Sequence, residues 1–91
     1  MTTLTIRKSH TLEHAKARAA AKRIATDLEK RFELACRWDG DDVEFERPGL
    51  NGTMHVGAHE VVLRIELSFL LSPLRKPIEQ AIHKQLDTLF G

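Results

Sequence analysis

The chain has 91 residues, of which 42% are hydrophobic and 30% charged, and its formal net charge is +1. This length fits one domain, residues 1–91, and excludes a second hydrophobic core. The near-neutral balance excludes the concentrated positive charge that drives nucleic-acid binding. A domain this small buries only about 60–65% of the surface that its unfolded chain exposes, so a partner or a second copy could add to a modest stability.

The cysteine content and the hydropathy both indicate a cellular location. A single cysteine, Cys36, excludes an internal disulfide and favours a reducing cytoplasm. Residues 1–8 lack the charged start and apolar run of a signal peptide. The longest apolar stretch, residues 61–74, is interrupted by two charged residues and a proline and is too short to cross a bilayer. We therefore expect a soluble, cytoplasmic protein.

The first third of the chain predicts a strand followed by a long helix. Residues 3–8 alternate apolar and polar side chains, as in a strand with one face toward a core. A helix should begin near Thr11, because Ser9 or Thr11 can cap it and no glycine or proline follows before Gly40. The apolar stripe of this helix, residues 11–35, is Ala17, Ala21, Ile24, Ala25, Leu28 and Phe32.

Between residues 34 and 67 the apolar period changes to two, which is typical of strands. Turn sequences at residues 39–41 and 48–52 divide the region into a hairpin and a further strand, and the chain could turn again around residues 57–59. The clearest alternating run follows at residues 61–67. The apolar strand positions are Leu34, Cys36, Trp38, Val43, Phe45, Met54, Val56, Ala58, Val61, Leu63, Ile65 and Leu67.

A second helix is predicted at residues 76–90, because Pro77 opposes an earlier start, and it is expected to end at Gly91. Its apolar stripe is Ile78, Ile82, Leu86 and Leu89. The fold class is therefore α+β: one antiparallel-rich sheet of four to five strands with two helices on one face, in the order β-α-β-β-β-(β)-α. The other face of the sheet should be exposed to water.

Several segments carry a resemblance to a known family. They are RKSHTL at residues 7–12, the alanine-rich helix, WDGD at 38–41, FERPGLNG at 45–52, residues 61–71 and Ile78-Glu79. Through them nearly the whole chain resembles the polyhydroxyalkanoic acid system proteins, small bacterial proteins associated with polyester storage-granule genes. The resemblance implies a role in polyhydroxyalkanoate granule biology and offers no catalytic residues to carry over. The chain departs from the family pattern at Ser68, where a glycine is expected.

The five histidines raise the question of a metal site. His10 and His14 have the i, i+4 spacing that can bring two imidazoles to one side of a helix. However, His10 precedes the predicted helix and no third ligand follows at a recognisable spacing. We interpret them as surface histidines and predict no metal and no cofactor.

The sequence also lacks recognisable catalytic machinery. Cys36 shares its strand parity with Leu34 and Trp38, which predicts an inward, apolar setting that raises the pKa of a thiol. Trp38 is interpreted as a core or rim aromatic, since no second aromatic accompanies it at base-stacking spacing. No serine elbow, phosphate-binding glycine loop or paired-carboxylate motif is found, and residues 49–52 are explained as a turn. We predict that the protein is not an enzyme.

The strand-helix-strands-helix order suggests an alternative, an RNA- or ribosome-binding module, because ribosome-associated factors share this order; the argument is fold analogy alone. Arg7, Lys8, Arg37 and Arg64 could line the open sheet face, together with Glu44, Glu46 and Glu66. On the first helix Lys16, Arg23 and Lys30 are accompanied by Asp27, Glu29 and Glu33. Mixed charge of this kind favours a solvated face over a polyanion site, so nucleic acid is not the expected partner.

The segment after the last strand is the candidate contact patch: Phe69, Leu70, Leu71 and Leu74. Its apolar residues continue into a connection, and connections usually lie on the surface. If exposed, these side chains could bind a polyester granule, a granule protein or a second copy; alternatively, they close the open end of the helix–sheet core. The first hypothesis is therefore a granule-associated accessory protein, ahead of the RNA-binding module and of an enzyme.

Overall fold

The computed structural model describes residues 2–90. The elements are β1 (Thr2–Ser9), α1 (His14–Phe32), β2 (Ala35–Asp39), β3 (Asp42–Arg47), β4 (Leu50–Val56), β5 (Glu60–Leu67), a 3₁₀ helix (Phe69–Leu74) and α2 (Arg75–Phe90). The predicted α+β order is confirmed, with five strands. The predicted end of the second helix at Gly91 lies outside the described residues.

The sheet has the order β1-β5-β4-β3-β2, and every neighbouring pair is antiparallel. Strands β2 to β5 form a meander, and β1 adds to it along β5, with Thr2 opposite Leu67 and Ser9 opposite Glu60. Both helices lie on one face because the apolar side chains of the strands alternate onto that face. The opposite face is left open.

Two short turns set the register of the meander. Gly40 and Asp41 connect β2 to β3, and Gly40 has a φ of 62°. Pro48 and Gly49 connect β3 to β4; proline in the first central position and a glycine with a φ of 85° in the second are typical of a type II turn.

The predicted turn over residues 48–52 is too long, because Leu50 to Gly52 belong to β4. Leu50 is fully buried, and Gly52 lies opposite Phe45 and Ile65. A Cβ on Gly52 would lie 3.1 Å from the Arg64 carbonyl oxygen, so this glycine permits a close approach between strands and does not mark a turn.

Helix α1 begins at His14, three residues later than predicted, and no side chain caps it. Ser9 is still part of β1, so neither Ser9 nor Thr11 serves as the cap. The helix ends at Phe32. The next residue, Glu33, has a φ of 56°, and the Arg47 guanidinium donates a 2.7 Å hydrogen bond to the Phe32 carbonyl. This bond satisfies one of the free carbonyls at the helix C-terminus.

One core lies between the helices and the sheet. The predicted stripes are buried in α1 and α2, except that Phe32 and Leu89 are only half-buried at the rim. The largest fully buried side chains are Phe45, Ile24, Leu28, Leu50, Met54, Leu63, Ile65, Leu67, Ile78, Ile82, Leu86 and Val43. For Ala58 the sequence left open an inward strand position and a turn at residues 57–59. The turn is confirmed, because β4 ends at Val56 and the exposed Ala58 lies in the bend before β5.

Candidate contact surface

The chain leaves β5 through an extended residue, Ser68, with φ −68° and ψ 167°. Any residue adopts this conformation, so the serine here needs none of the freedom of a glycine. The Ser68 N–H donates to the Gly49 carbonyl at 2.8 Å, and the Ser72 hydroxyl donates to the Phe69 carbonyl at 2.9 Å. The connection is therefore an ordered 3₁₀ helix anchored on the β3–β4 turn.

The four residues of the candidate patch divide into two pairs. Leu71 and Leu74 are half-buried and pack against the core, as closure of the open end requires. Phe69 and Leu70 are 83% and 85% exposed, and they are the large hydrophobic side chains that residues 2–90 present to solvent. The candidate contact surface is thus reduced to the exposed pair Phe69 and Leu70, which we call the apolar tip.

The surroundings of the apolar tip are also poor in charge. The 3₁₀ helix reads FLLSPL and contains no ionisable side chain. The nearest charged residues along the chain are Glu66 and Arg75, and Arg75 lies 3.9 Å from Glu79 in an ion pair. Covering the tip would consequently remove apolar surface from water without desolvating a charge of this segment.

His10 differs from the predicted surface histidine, because it is only 5% exposed. Its Nε2 lies 3.0 Å from the Gly57 carbonyl, which can only accept, and its Nδ1 accepts the Leu12 N–H at 3.2 Å. The ring also contacts Phe90, with 5.3 Å between centroids. This buried histidine joins the β1–α1 connection to the β4–β5 turn and to the end of α2.

His10 and His14, whose i, i+4 spacing raised the question of a metal site, each have other partners. Both nitrogens of His10 are engaged by backbone groups, and the His14 Nε2 lies 2.8 Å from an Asp41 carboxylate oxygen. Across residues 2–90, no three His, Cys, Asp or Glu side chains come close enough together to hold a metal ion.

Cys36 and Trp38 face the helices from β2 and are half-buried, as their parity predicted. The Cys36 thiol lies 3.7 Å from the Ala25 carbonyl. Burial, and secondarily the Glu29 carboxylate, raise the pKa of this thiol to about 11. The Arg18 guanidinium lies 5.7 Å from the centroid of the Trp38 ring, so this aromatic face is already occupied.

The open sheet face carries paired charges of both signs. Arg37 lies 2.7 Å from Glu44, Arg64 lies 3.3 Å from Glu66, and Arg7 lies 3.6 Å from Glu60. The placement of Lys8 on this face was wrong: Lys8 has the parity of Leu4 and Ile6, and it reaches Asp87 of α2 at 3.2 Å.

Comparison with known protein families identifies the family of the chain. Residues 4–90 match the family described as putative polyhydroxyalkanoic acid system protein. The chain belongs to this family. No curated protein and no solved structure matches it. The family name links the chain to the polyhydroxyalkanoate system, and neither helix in residues 2–90 is long and apolar enough to span a membrane.

The structure adds Lys22 to two basic residues of α1 that the sequence analysis named, Arg23 and Lys30. Lys22, Arg23 and Lys30 line a groove between the helices, together with Thr26, Asp27 and Gln85. The signal was the spacing of residues 22, 26 and 30, which places them on one side of α1.

Proposed function

We propose that this protein is a non-catalytic accessory protein of cytoplasmic polyhydroxyalkanoate granules, and that its apolar tip contacts the polymer or a granule protein. The observation that carries the proposal is the exposure of Phe69 and Leu70 on an ordered 3₁₀ helix, in a chain whose family belongs to the polyhydroxyalkanoate system. A surface that exposes two adjacent large apolar side chains is typical of a contact site.

The size of the tip indicates a weak contact for each copy. Full burial of a Leu or Phe side chain is worth about 1.5–3 kcal/mol, so two such side chains supply at most about 6 kcal/mol before the cost of association. A granule presents the same surface many times, so several copies or several contacts can add to the affinity. The tip therefore suits an extended, repetitive surface.

A non-catalytic role is supported by the state of the groups that could act as nucleophiles. Cys36 is half-buried under the helices, and its raised pKa keeps the thiol protonated near neutral pH.

The depression on the open face, of about 420 Å³, is lined by Glu44, Glu46 and Glu66 with Arg64 among them. The Arg64–Glu66 ion pair occupies part of this depression.

The test is cosedimentation of the protein with granules purified from producing cells, with ribosomes as the competing fraction. Phe69→Ser combined with Leu70→Ser should reduce granule binding by tenfold or more and leave the far-UV circular dichroism unchanged. Phe69→Leu combined with Leu70→Ile is the matched control, because it keeps the tip apolar, and it should bind like the wild type. Retained binding by the folded double-serine variant would reject the tip as the contact.

RNA or ribosome binding is the second candidate, and the groove with Lys22, Arg23 and Lys30 is the observation that favours it. Contacts of lysine and arginine with phosphates would make such binding strongly salt-dependent. Lys22→Glu combined with Arg23→Glu should then abolish binding to a labelled RNA at 50 mM salt. Sedimentation of the wild type with ribosomes and not with granules would favour this candidate over the first.

A further inference from the structure

We propose that the free edge of β1 pairs with β1 of a second copy around a two-fold axis, which gives an antiparallel homodimer with a continuous ten-stranded sheet. We call this contact between the two β1 strands the seam. Strands β1 and β2 are the two edges of the five-stranded sheet, and β1 is paired only with β5. The β1 edge is eight residues long and contains no proline. Its eight consecutive pairs with β5 show no bulge that would bend it away from a partner.

The register identifies the backbone groups that point outward from β1. The His10 N–H donates to the His59 carbonyl at 2.9 Å, one step beyond the pair of Ser9 with Glu60. Hydrogen-bonded pairs alternate along an antiparallel ladder, so the even-numbered residues of β1 bond to β5. The N–H and C=O groups of Thr3, Thr5 and Arg7 therefore point to the free edge.

The second edge, β2, is a poorer candidate for pairing. Strand β2 has only five residues. The 2.9 Å bond from the Val56 N–H to the Asp41 carbonyl shows which residues of β3 bond to β4, and the others bond to β2. In β2, therefore, only Cys36 and Trp38 direct their backbone N–H and C=O groups to the free edge. Short edge strands are one way in which proteins prevent unwanted pairing. The β1 edge instead opens into a groove of about 380 Å³ that α2 flanks with Arg75, Glu79 and His83.

The β1 edge is complementary to itself. With the two-fold axis at Thr5, Thr5 faces Thr5 of the second copy and Thr3 faces its Arg7, so no like charges meet. Three facing pairs of this kind supply about six backbone hydrogen bonds, two for each pair. On the helix side Leu4 faces Ile6 of the second copy; these side chains retain 4% and 7% exposure, which the pairing would cover.

Helix α2 has a charge order that fits the same symmetry. It runs in the direction of β1, because Lys8 contacts Asp87 and His10 contacts Phe90. The two-fold axis places the second α2 antiparallel to the first. Arg75, which pairs with Glu79 in its own helix, then approaches the end of the second α2 that carries Asp87, which pairs with Lys8. Groups of opposite charge therefore approach each other across the seam. This agreement between the edge and the flanking helix favours a second copy over an unrelated extended peptide.

The first test is a proline at the outward-facing position. Thr5→Pro removes an N–H that makes no bond within the sheet, so the protomer should stay folded while the seam loses its central donor. Thr5→Val is the matched control, since it keeps the N–H, the shape and the β-branch. Sedimentation equilibrium should show twice the 10.3 kDa protomer mass for the wild type and Thr5→Val. The Thr5→Pro variant should dimerise at least tenfold more weakly.

A second measurement tests the seam in the unaltered protein, in case Thr5→Pro does not fold. Amide exchange at Thr3, Thr5 and Arg7 should slow at least tenfold between low and high protein concentration, while exchange at Cys36 and Trp38 stays constant. A wild type that remains at 10.3 kDa at every concentration would overturn the proposal. A dimer in which the Thr5 amide exchanges freely, or one that is lost in the Phe69→Ser, Leu70→Ser variant, would overturn it as well.

Discussion

At the scale of single residues, His10 has a structural role that its sequence context does not reveal. Its two ring nitrogens satisfy two backbone groups, the Gly57 carbonyl and the Leu12 N–H, at 3.0 and 3.2 Å. His10→Ala leaves both groups without a partner, so we expect a loss of about 2–4 kcal/mol in the free energy of unfolding, measured by urea denaturation. His10→Asn can still accept the Leu12 N–H and should lose about half as much. A loss below about 0.5 kcal/mol in His10→Ala would contradict this role.

Cys36 leads to a prediction about reactivity. Because burial and the Glu29 carboxylate raise the pKa of its thiol to about 11, about 0.1% is thiolate at pH 8, against roughly a quarter for an ordinary cysteine. Iodoacetamide should therefore label native Cys36 at least tenfold more slowly than the urea-unfolded chain. Glu29→Gln removes the smaller cause, so it should lower the pKa and accelerate labelling modestly. Equal rates for the native and unfolded chains would contradict the buried position.

At the scale of elements, the contact between the β3–β4 turn and the 3₁₀ helix can be tested through two glycines. A Cβ on Gly49 would lie 2.8 Å from the Ser68 hydroxyl oxygen and 3.0 Å from a Leu71 methyl, whereas a Cβ on Gly40 would meet nothing within 4 Å. Both glycines have positive φ, so Gly40→Ala measures the backbone cost alone, about 1–2 kcal/mol.

Gly49→Ala adds the clash with the 3₁₀ helix to that cost. We expect the free energy of unfolding to fall by about 1–3 kcal/mol more than in Gly40→Ala, again by urea denaturation. The clash should also displace the apolar tip, so Gly49→Ala should bind granules more weakly even where it is folded. Equal destabilisation by the two substitutions would show that the 3₁₀ helix does not rest on this turn.

The buried positions of the strands and helices could be predicted from the sequence, whereas the exposure of the 3₁₀ helix could not. Alternation predicted the inward positions of β5, and the 3.6-residue period predicted the buried stripes of α1 and α2, because these patterns report directly on one-sided burial. The exposure of Phe69 and Leu70 against the half-burial of Leu71 and Leu74 could not be predicted. It depends on how the 3₁₀ helix meets the β3–β4 turn, and these segments are about twenty residues apart in sequence.

The prediction that His10 lies on the surface was wrong for a related reason. A histidine between a strand and a helix has no periodic neighbours, and its partners Gly57 and Phe90 come from two distant elements. The prediction that Lys8 lies on the open sheet face was wrong for a different reason. Lys8 alternates in phase with Leu4 and Ile6, which indicates the helix side, but its positive charge favoured the face exposed to water. An inward lysine at the end of a strand can extend past the core to a carboxylate, as Lys8 does to Asp87.

At the scale of the whole molecule, the apolar tip and the β1 edge have a fixed relation. The 3₁₀ helix follows Leu67, which lies opposite Thr2 at the start of β1. With a two-fold axis at Thr5, the two Thr2 residues are six strand positions apart, or about 20 Å. The two apolar tips would therefore lie at opposite ends of the dimer, so one dimer could contact two surfaces at once.

This arrangement predicts that the dimer clusters polyester particles. Light scattering from a suspension of amorphous polyhydroxyalkanoate particles should rise when wild-type protein is added and fall again at a large excess of protein, when each particle is saturated. Thr5→Pro keeps the tip and loses the seam, so it should bind the particles without clustering them. Phe69→Ser with Leu70→Ser keeps the seam and loses the tip, so it should do neither. Clustering by a monomeric Thr5→Pro protein would show that one protomer carries two contact sites, and the division of roles between tip and seam would then be wrong.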